Sequence, residues 1–475
     1  MWTNPTAPAA DIIRFMHQVP TIAAISTPLG VGAIGIVRMT GPEAISICAQ
    51  VFRSAGGSPL DRAATHSLCY GAVQDPASGN LVDEVLVGIM RAPQTYTRED
   101  IVEVNCHGGP VVQQKVLSLF LERGAQLASP GEFTRRAFLN GRIDLAQAES
   151  VVQIISAKTE AGLRVALAQL DGSLSGEIKE LRQTILREMA AMEADIDFSD
   201  EDIEELDRDQ TGERLEQIRS RLEELIDSAF VGRVLSQGVR TAIVGKPNVG
   251  KSSLLNSLLM RERAIVTEIP GTTRDTIEEI INVKGIPLQL IDTAGLRPAT
   301  DEVEQVGVNR SRRAMQEADL ILCLFDGSEP EDDHDRALLT SLPKDRAIFV
   351  INKCDRFRGQ SPRFNRGLLP SEPVIISAMT RQGLNQLKEK ITGVVLGGSL
   401  PPLEGPIVTH ERHRLLLESA RESLGRACQG LRVGLGEELI AEELRAALAA
   451  LGEITGEEIV DDLLETIFRE FCIGK

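Results

Sequence analysis

At 475 residues with 42% apolar residues, the chain is long enough for about three domains and rich enough for packed cores. Its formal charge of −18 excludes a generally basic nucleic-acid binder, though not a local basic patch. Aromatic residues at 3% leave little for stacking on single-stranded nucleic acid.

The first segment, MWTNPTAPAADIIRF, lacks a basic n-region and a continuous apolar core, so residues 1–19 read as a short disordered tail rather than a signal peptide. Residues 20–110 read as strands and turns. "TIAAIST" and "GAIGIVRMTG" are short apolar runs, "SLCYGAVQD" and "LVDEVLVGIM" flank the turn sequence PASGN, and "EDIVEVN" alternates like a strand. Pro110 opens a helix that Gly124 closes. From about 134 the period becomes helical. Leu145, Ala148, Val152, Ile155, Leu163, Leu167, Leu170 and Leu174 mark one long stripe, and helical patterns continue to about 233. Within this stretch, "DIDFSDEDIEEL" fails as a calcium loop: Asp200 stands where the glycine belongs and Leu206 where the bidentate glutamate belongs. It reads as a solvated acidic face.

Residues 239–393 alternate short strands with helices, the pattern of a parallel α/β domain. After about 400 the helical pattern returns. Either one helical domain is split by an inserted α/β domain, or a separate helical domain ends the chain. At the terminus, "TGEE" (455–458) fits a capping box. Ile459, Leu463, Ile467 and Phe471 then form an apolar stripe that would dock the end of the chain.

"GKPNVGKSS", 245–253, follows a strand and precedes a helix, matching the phosphate-binding pattern G-x-x-x-x-G-K-[ST] in its required context. Gly245 and Gly250 let backbone amides wrap phosphates, Lys251 supplies a charge to them, and Ser252 supplies a hydroxyl to Mg²⁺. "DTAG", 292–295, closes a later strand, where Asp292 suits the metal's water shell and the Gly295 amide can sense the γ-phosphate. "NKCD", 352–355, ends another strand. The two acceptor oxygens of Asp355 suit the N1–H and N2–H₂ donors of guanine, which adenine lacks, so the site selects GTP. "ISA", 376–378, falls where a last loop would touch the base, and "GTTRD", 271–275, falls where a switch threonine is needed. In this order and spacing the motifs describe a GTPase. Leu296 follows "DTAG" where Ras-like proteins place a water-orienting glutamine. Asn248 reads equally as a turn residue or as a ligand for a monovalent cation.

"TPLGVGAIGIVR", "HGGP", "PGEFTRRAFLNGRIDLAQAE", "IDTAGLRPATDEVEQVG" and the terminal "FCIGK" together resemble the tRNA uridine 5-carboxymethylaminomethyl modification GTPases, the MnmE (TrmE) family, over nearly the whole chain. The resemblance implies a multidomain α/β and α protein: a folate-binding and dimerising α+β domain at 20–133, a helical domain from 134–233 and 396–475, and an inserted P-loop GTPase domain with a doubly wound sheet at 234–395. It implies GTP contacts at Asn248, Val249, Gly250, Lys251, Ser252, Ser253, Thr267, Glu268, Ile269, Pro270, Gly271, Thr272, Thr273, Asp292, Thr293, Ala294, Gly295, Asn352, Lys353, Asp355, Ser377 and Ala378. Mg²⁺ would sit on Ser252 and Thr273, and K⁺ on Asn248, Thr267, Ile269 and Thr272. Lys251, Asp292 and Glu304 would act in hydrolysis, with Glu304 positioning water indirectly to cover the missing glutamine.

The resemblance further implies a one-carbon tetrahydrofolate (5,10-methylene or 5-formyl) at Arg38, Glu103, Arg142 and Lys475. Without it, these charges read as surface salt bridges. It implies a K⁺-dependent homodimer and a heterotetramer with an MnmG-type FAD-dependent protein. The complex would add a carboxymethylaminomethyl or aminomethyl group to C5 of the wobble uridine of certain tRNAs. Cys472 would be a functional thiol, whether nucleophile, general acid/base or positioning group.

The competing reading is a regulatory ribosome-assembly GTPase, which predicts an RNA-binding module; no KH-like G-x-x-G element or basic flank follows 393. A lipid anchor at Cys472 fails because "CIGK" is not C-a-a-X and "EEIVDDLLETIF" before it is acidic. "NCHGG", 105–109, suggests a Cys–His dyad, but adjacency does not give a usable geometry, and Cys106 reads as packing, with His107 kept as a possible folate-domain residue. The seven cysteines, odd in number and without C-x-x-C pairing, point to a reducing cytoplasm. No apolar run approaches the roughly 20 residues of a membrane span.

Overall fold

The computed structural model describes residues 20–197, 207–262, 279–291, 314–357, 361–398, 400, 403, 405–458, 461–469, 471 and 473–475. They fall into two compact units. One joins residues up to Glu149 with the segment from Gly456 to Lys475, and the other runs from Ser150 to Thr455.

The first unit is built on a seven-stranded sheet in the order β3-β4-β5-β6-β2-β1-β7. Its strands are β1 (Ile22–Ile25), β2 (Ile34–Thr40), β3 (Phe52–Ser54), β4 (Ser67–Gln74), β5 (Leu81–Met90), β6 (Ile101–His107) and β7 (Gln126–Leu127). The hairpin around PASGN is β4–β5, and β1–β2 and β2–β6 are also antiparallel. Alternation sorts β6 into two faces. Val102, Val104 and Cys106 are buried inward, whereas Glu103, Asn105 and His107 point the other way. Helices α1 (Ala44–Val51) and α2 (Pro110–Glu122) cover the inward face, where Val116, Leu119 and Phe120 meet Val37, Val102 and Val104. Pro110 sits at the first turn of α2, as expected.

The opposite face carries a smaller core of Ile22, Ala24, Ala128 and Phe133, the last from α3 (Glu132–Leu139). Arg136 of α3 is 6% exposed. It is satisfied by Glu99, Glu132 and the Pro20 carbonyl, so this arginine of the "PGEFTRRAFLN" stretch is a structural tie.

The expected single stripe from Leu145 is broken into α4 (Leu145–Ser156), α5 (Glu160–Leu170) and α6 (Ser173–Asp197). Thr159 caps α5, its hydroxyl accepting from Gly162 N at 3.2 Å. The break resets the helical phase. Val165, Ala166 and Gln169 become the buried face, and Leu167, assigned to the stripe, is 48% exposed. In α7 (Arg208–Gln237), Leu215, Ile218, Leu222, Leu225 and Ala229 form a buried stripe at spacings of three and four.

The second sheet follows α7 directly. Its order is β13-β12-β11-β8-β10-β9, from β8 (Val239–Val244), β9 (Glu279–Val283), β10 (Ile286–Leu290), β11 (Leu320–Asp326), β12 (Ala347–Asn352) and β13 (Val374–Ile375). All neighbours are parallel except β9–β10. Helices α8 (Lys251–Glu262), α9 (Asp333–Ser341) and α10 (Leu384–Leu396) belong to this sheet, and Leu254, Leu258, Leu387 and Ile391 pack into one of its cores. The chain then returns to helix in α11 (Glu411–Val433) and α12 (Glu437–Thr455), with α11 against α7 and α12 against α6.

The terminal helix α13 (Asp461–Arg469) corrects the expected capping box. Thr455 is the last residue of α12, and its hydroxyl donates back to the Gly452 carbonyl instead of capping a new helix. The apolar face is also out of register by one residue: Leu464 and Phe468 are buried, while Leu463 and Ile467 are half-buried. Ile459 lies outside the described residues. Phe471 is buried as expected, its ring 5.1 Å from that of Phe468.

Candidate nucleotide and terminal-segment sites

The phosphate loop leaves the C-terminal end of β8. Gly245 (φ 152°) and Gly250 (φ 103°) adopt backbone conformations that side chains disfavour. A Cβ at Gly245 would lie 2.4 Å from the Leu324 carbonyl, and one at Gly250 would lie 2.2 Å from Asn352 Nδ2, so both positions require glycine. Lys251 opens α8, and its Nζ donates to the carbonyls of Gly245 (2.8 Å) and Lys246 (2.9 Å). Burial pulls this ammonium below the usual lysine range, and no carboxylate pairs with it among the described residues. A partly buried cation held only by carbonyls fits a polyphosphate, which would return the missing negative charge. Ser252 and Ser253 follow in the first helical turn. Asn248 is exposed with φ 63°, and Val249 is buried.

The recognition loops are tied to the phosphate loop through Asn352, which is 2% exposed. Its Nδ2 donates to the Val249 carbonyl (2.8 Å), and its Oδ1 accepts from Ala378 N (2.9 Å). Ser377 Oγ donates to Asp355 Oδ1 at 2.6 Å, orienting that carboxylate. Lys353 (φ 66°) turns its ammonium onto Asp326 of β11. An open cleft of about 800 Å³ adjoins Asp355, lined also by Phe357, Arg366, Arg381 and Leu384. The structure thus brings Asn248 through Ser253, Asn352, Lys353, Asp355, Ser377 and Ala378 to one end of the sheet, together with Asp326, which no motif singled out. Thr267, Glu268, Ile269, Pro270, Gly271, Thr272, Thr273, Asp292, Thr293, Ala294, Gly295 and Glu304 lie outside the described residues.

In the first unit, β2–β6 pairing sets Arg38 directly opposite Glu103 on the outward face. Arg38 Nη2 lies 2.6 Å and Nε 2.8 Å from Glu103 Oε1. The terminal segment reaches the same place. Arg38 Nη1 and Ser26 Oγ each donate to the Gly474 carbonyl at 3.3 Å. Gly474 (φ 92°) fits because a Cβ there would lie 2.6 Å from the Ile25 carbonyl. A Cβ at Gly131 would lie 2.8 Å from the Phe468 carbonyl and 2.9 Å from Phe471 Cβ. Arg142 holds its guanidinium 4.8 Å from the centre of the Tyr96 ring, and the charges of both Arg142 and Arg38 act on that phenol. Tyr96, which the sequence gave no reason to select, donates to or accepts from Thr134 at 2.9 Å. Its phenol is pushed up by burial. Lys475 is half-buried, and Cys472 lies outside the described residues.

The suspected Cys106–His107 dyad does not form. Cys106 Sγ donates to the Gly35 carbonyl, and burial, aided by Asp83, pushes the thiol up to about 11. His107 Nδ1 pairs with Asp83 at 2.7 Å. Among the described residues no His/Cys/Asp/Glu group could hold a metal ion, and no helix is long and apolar enough to cross a membrane.

Residues 21–142 match the family described as GTP-binding protein TrmE N-terminus, and residues 145–472 match the MnmE helical domain. The tRNA modification GTPase MnmE of Geobacillus thermodenitrificans (strain NG80-2) is 46% identical over 462 residues, 97% of this chain and 100% of that protein. Its counterpart in Enterococcus faecalis (strain ATCC 700802 / V583) is 46% identical over 460 residues, 96% of this chain and 99% of that protein. The G domain of the T. maritima FeoB iron transporter is 26% identical, covers 33% of this chain and 98% of its own, and has a TM-score of 0.25. With a phosphate loop and guanine-recognition loops assembled at one sheet end, and full-length relatives of this identity, the chain belongs to the MnmE family of tRNA modification GTPases and is a GTP-hydrolysing enzyme.

Proposed function

We propose that this GTPase works as a homodimer with an MnmG-type FAD-dependent protein. Together they install a carboxymethylaminomethyl or aminomethyl group at C5 of the wobble uridine, with a one-carbon tetrahydrofolate held on the N-terminal unit. The observation that carries this reading is the docked terminus, whose Gly474 carbonyl rests on Arg38 beside Glu103. The residues fit the folate. Arg38 engages only Oε1 of Glu103, so Oε2 remains an acceptor for the amino and ring N–H groups of a pterin. Arg142 and Lys475 would add cations for the folate carboxylates.

At the G domain, Ser252, with Thr273 and the water shell of Asp292, would hold Mg²⁺. Asn248, Thr267, Ile269 and Thr272 would hold K⁺. Such cations, when bound, supply positive charge beside the phosphoryl oxygens on which negative charge develops. The chain's own work is to wrap the phosphates in the backbone N–H groups from Asn248 to Ser252, downstream of Pro247, which has none, to place the Lys251 ammonium, and to read the base with Asp355. Glu304 would orient the attacking water. The continuous sheet from Val239 to Ile375, entered from α7 and left toward α11, supports a GTPase domain at 234–395 inserted into a helical domain of 134–233 and 396–475. Family membership favours tRNA modification over ribosome assembly.

Nucleoside analysis of tRNA from cells lacking the protein tests the proposal. The modified wobble uridine is expected to vanish, to return with the wild-type chain, and to stay absent with Cys472→Ser while GTP hydrolysis by that variant persists. Normal modification in the deleted cells would overturn the reading.

A further inference from the structure

Strand β11 is buried at all seven residues, Leu320–Asp326, and the last of them is a carboxylate. Asp326 is 4% exposed. Oδ1 accepts from Ser328 N at 2.9 Å and from Ser328 Oγ at 2.6 Å, and Oδ2 pairs with Lys353 Nζ at 2.5 Å. Burial by itself would raise this carboxyl, but the bonds from Lys353 and Ser328 prevail and hold it below the usual carboxylate range. An ion pair with its carboxylate buried at the ligand-binding end of an open α/β sheet calls for a reason beyond stability, because such pairs add little of it.

The register supplies that reason. β11 and β12 are parallel neighbours with Asp326 opposite Asn352. Lys353, the next residue, therefore reaches sideways across the strand ends to place its ammonium on Asp326. Lys353 stands in the chain between Asn352, which is bonded to the phosphate loop, and Asp355. A stem fixed at its ammonium end offers an apolar surface, which suits the flat face of a purine. Asp355 is the carboxylate of the motif that carries Lys353, and its acceptors are the ones guanine needs, so an ammonium tied to Asp326 leaves them unclaimed. Gly327 fixes the platform. Its N–H donates to the Asn352 carbonyl at 2.9 Å, and a Cβ there would lie 2.5 Å from the Phe357 ring.

We propose that Asp326 is a positioning and specificity-determining residue for GTP: it ties back the Lys353 ammonium, so that the lysine stem faces the purine and Asp355 stays open to the guanine edge. This rests on the assignment of Lys353 and Asp355 to the purine site.

The test is a double-mutant cycle on the full-length chain, with GTP affinity measured by titration calorimetry and steady-state hydrolysis alongside. Asp326→Asn and Lys353→Met should each weaken GTP binding by about tenfold or more, the scale of a lost charge-assisted bond. The double variant should bind no more weakly than the weaker single one. KM should rise by about the same factor as Kd, with kcat changing less, whereas a loss of folded protein would lower activity without moving KM. Wild-type affinity in Asp326→Asn, or losses that multiply in the double variant, would overturn the proposal. Wild-type affinity in Lys353→Met, which keeps an apolar stem but has no ammonium to tie back, would likewise overturn it, whereas wild-type affinity in Asp355→Ala would sink the purine-site assignment itself. Thermal melting reports folding. If Asp326→Asn does not fold, Lys353→Arg against Lys353→Met replaces it, and near-wild-type affinity in the arginine variant alone is then required.

Discussion

Cys106 and His107 are neighbours in sequence and strangers in space, because β6 turns alternate side chains to opposite faces. One packs against α2 and the β2 backbone; the other meets Asp83. With its thiol raised to about 11 by burial, Cys106 stays protonated below that pH, leaving a thiolate fraction of roughly 10⁻³ or less at pH 7.5. Iodoacetamide at pH 7.5 is therefore expected to leave the Cys106 peptide unmodified in the native protein and to alkylate it in denaturant. Rapid native labelling, read by mass spectrometry, would contradict the packing role. Residue by residue, the phosphate loop was legible because its chemistry is written in eight consecutive positions, Gly245 to Ser252. Asp326 was not, since its partner is 27 positions away and an acidic residue after an apolar strand otherwise reads as a turn.

Among the elements, strands and their order of faces followed from alternation, whereas helix phase did not. A stripe drawn through Leu145–Leu174 assumed one uninterrupted helix, and the Thr159 cap broke it. At the terminus, Thr455 had the composition of a cap, but α12 continued through it because Leu451, Ile454 and Thr455 itself are buried. The shifted face of α13 still delivers Phe468 and Phe471 onto Gly131. Phe471→Ala should weaken this docking by about 3 kcal/mol, the usual loss for a buried phenylalanine. Hydrogen exchange should then rise across 461–475 while GTP hydrolysis is unaffected. Unchanged exchange would show that the bonds from Arg38 and Ser26 to the Gly474 carbonyl hold the terminus without the Phe471 contact.

At the scale of the whole molecule, the exposed side chain of Asn248 on a loop held by Asn352 and two obligate glycines bears on how hydrolysis is accelerated. Without a glutamine after "DTAG", a cation supplied to the phosphates becomes the natural source of rate. GTP hydrolysis is expected to be about tenfold or more faster in KCl than in NaCl at equal ionic strength, the scale of one preorganised charge contact. Asn248→Ala should erase the difference, and equal wild-type rates in the two salts would remove the cation role.

By itself the sequence determined the GTPase chemistry and the base it selects, because those groups lie in short contiguous motifs whose local geometry is nearly fixed by glycine and strand–loop–helix context. Only the tertiary structure decided which distant charges meet. Arg38 and Glu103 are paired by sheet register, Gly474 joins them across 436 positions of chain, and Lys353 is drawn to Asp326. Each of these depends on strand pairing or helix docking, and no local spacing in the sequence encodes it.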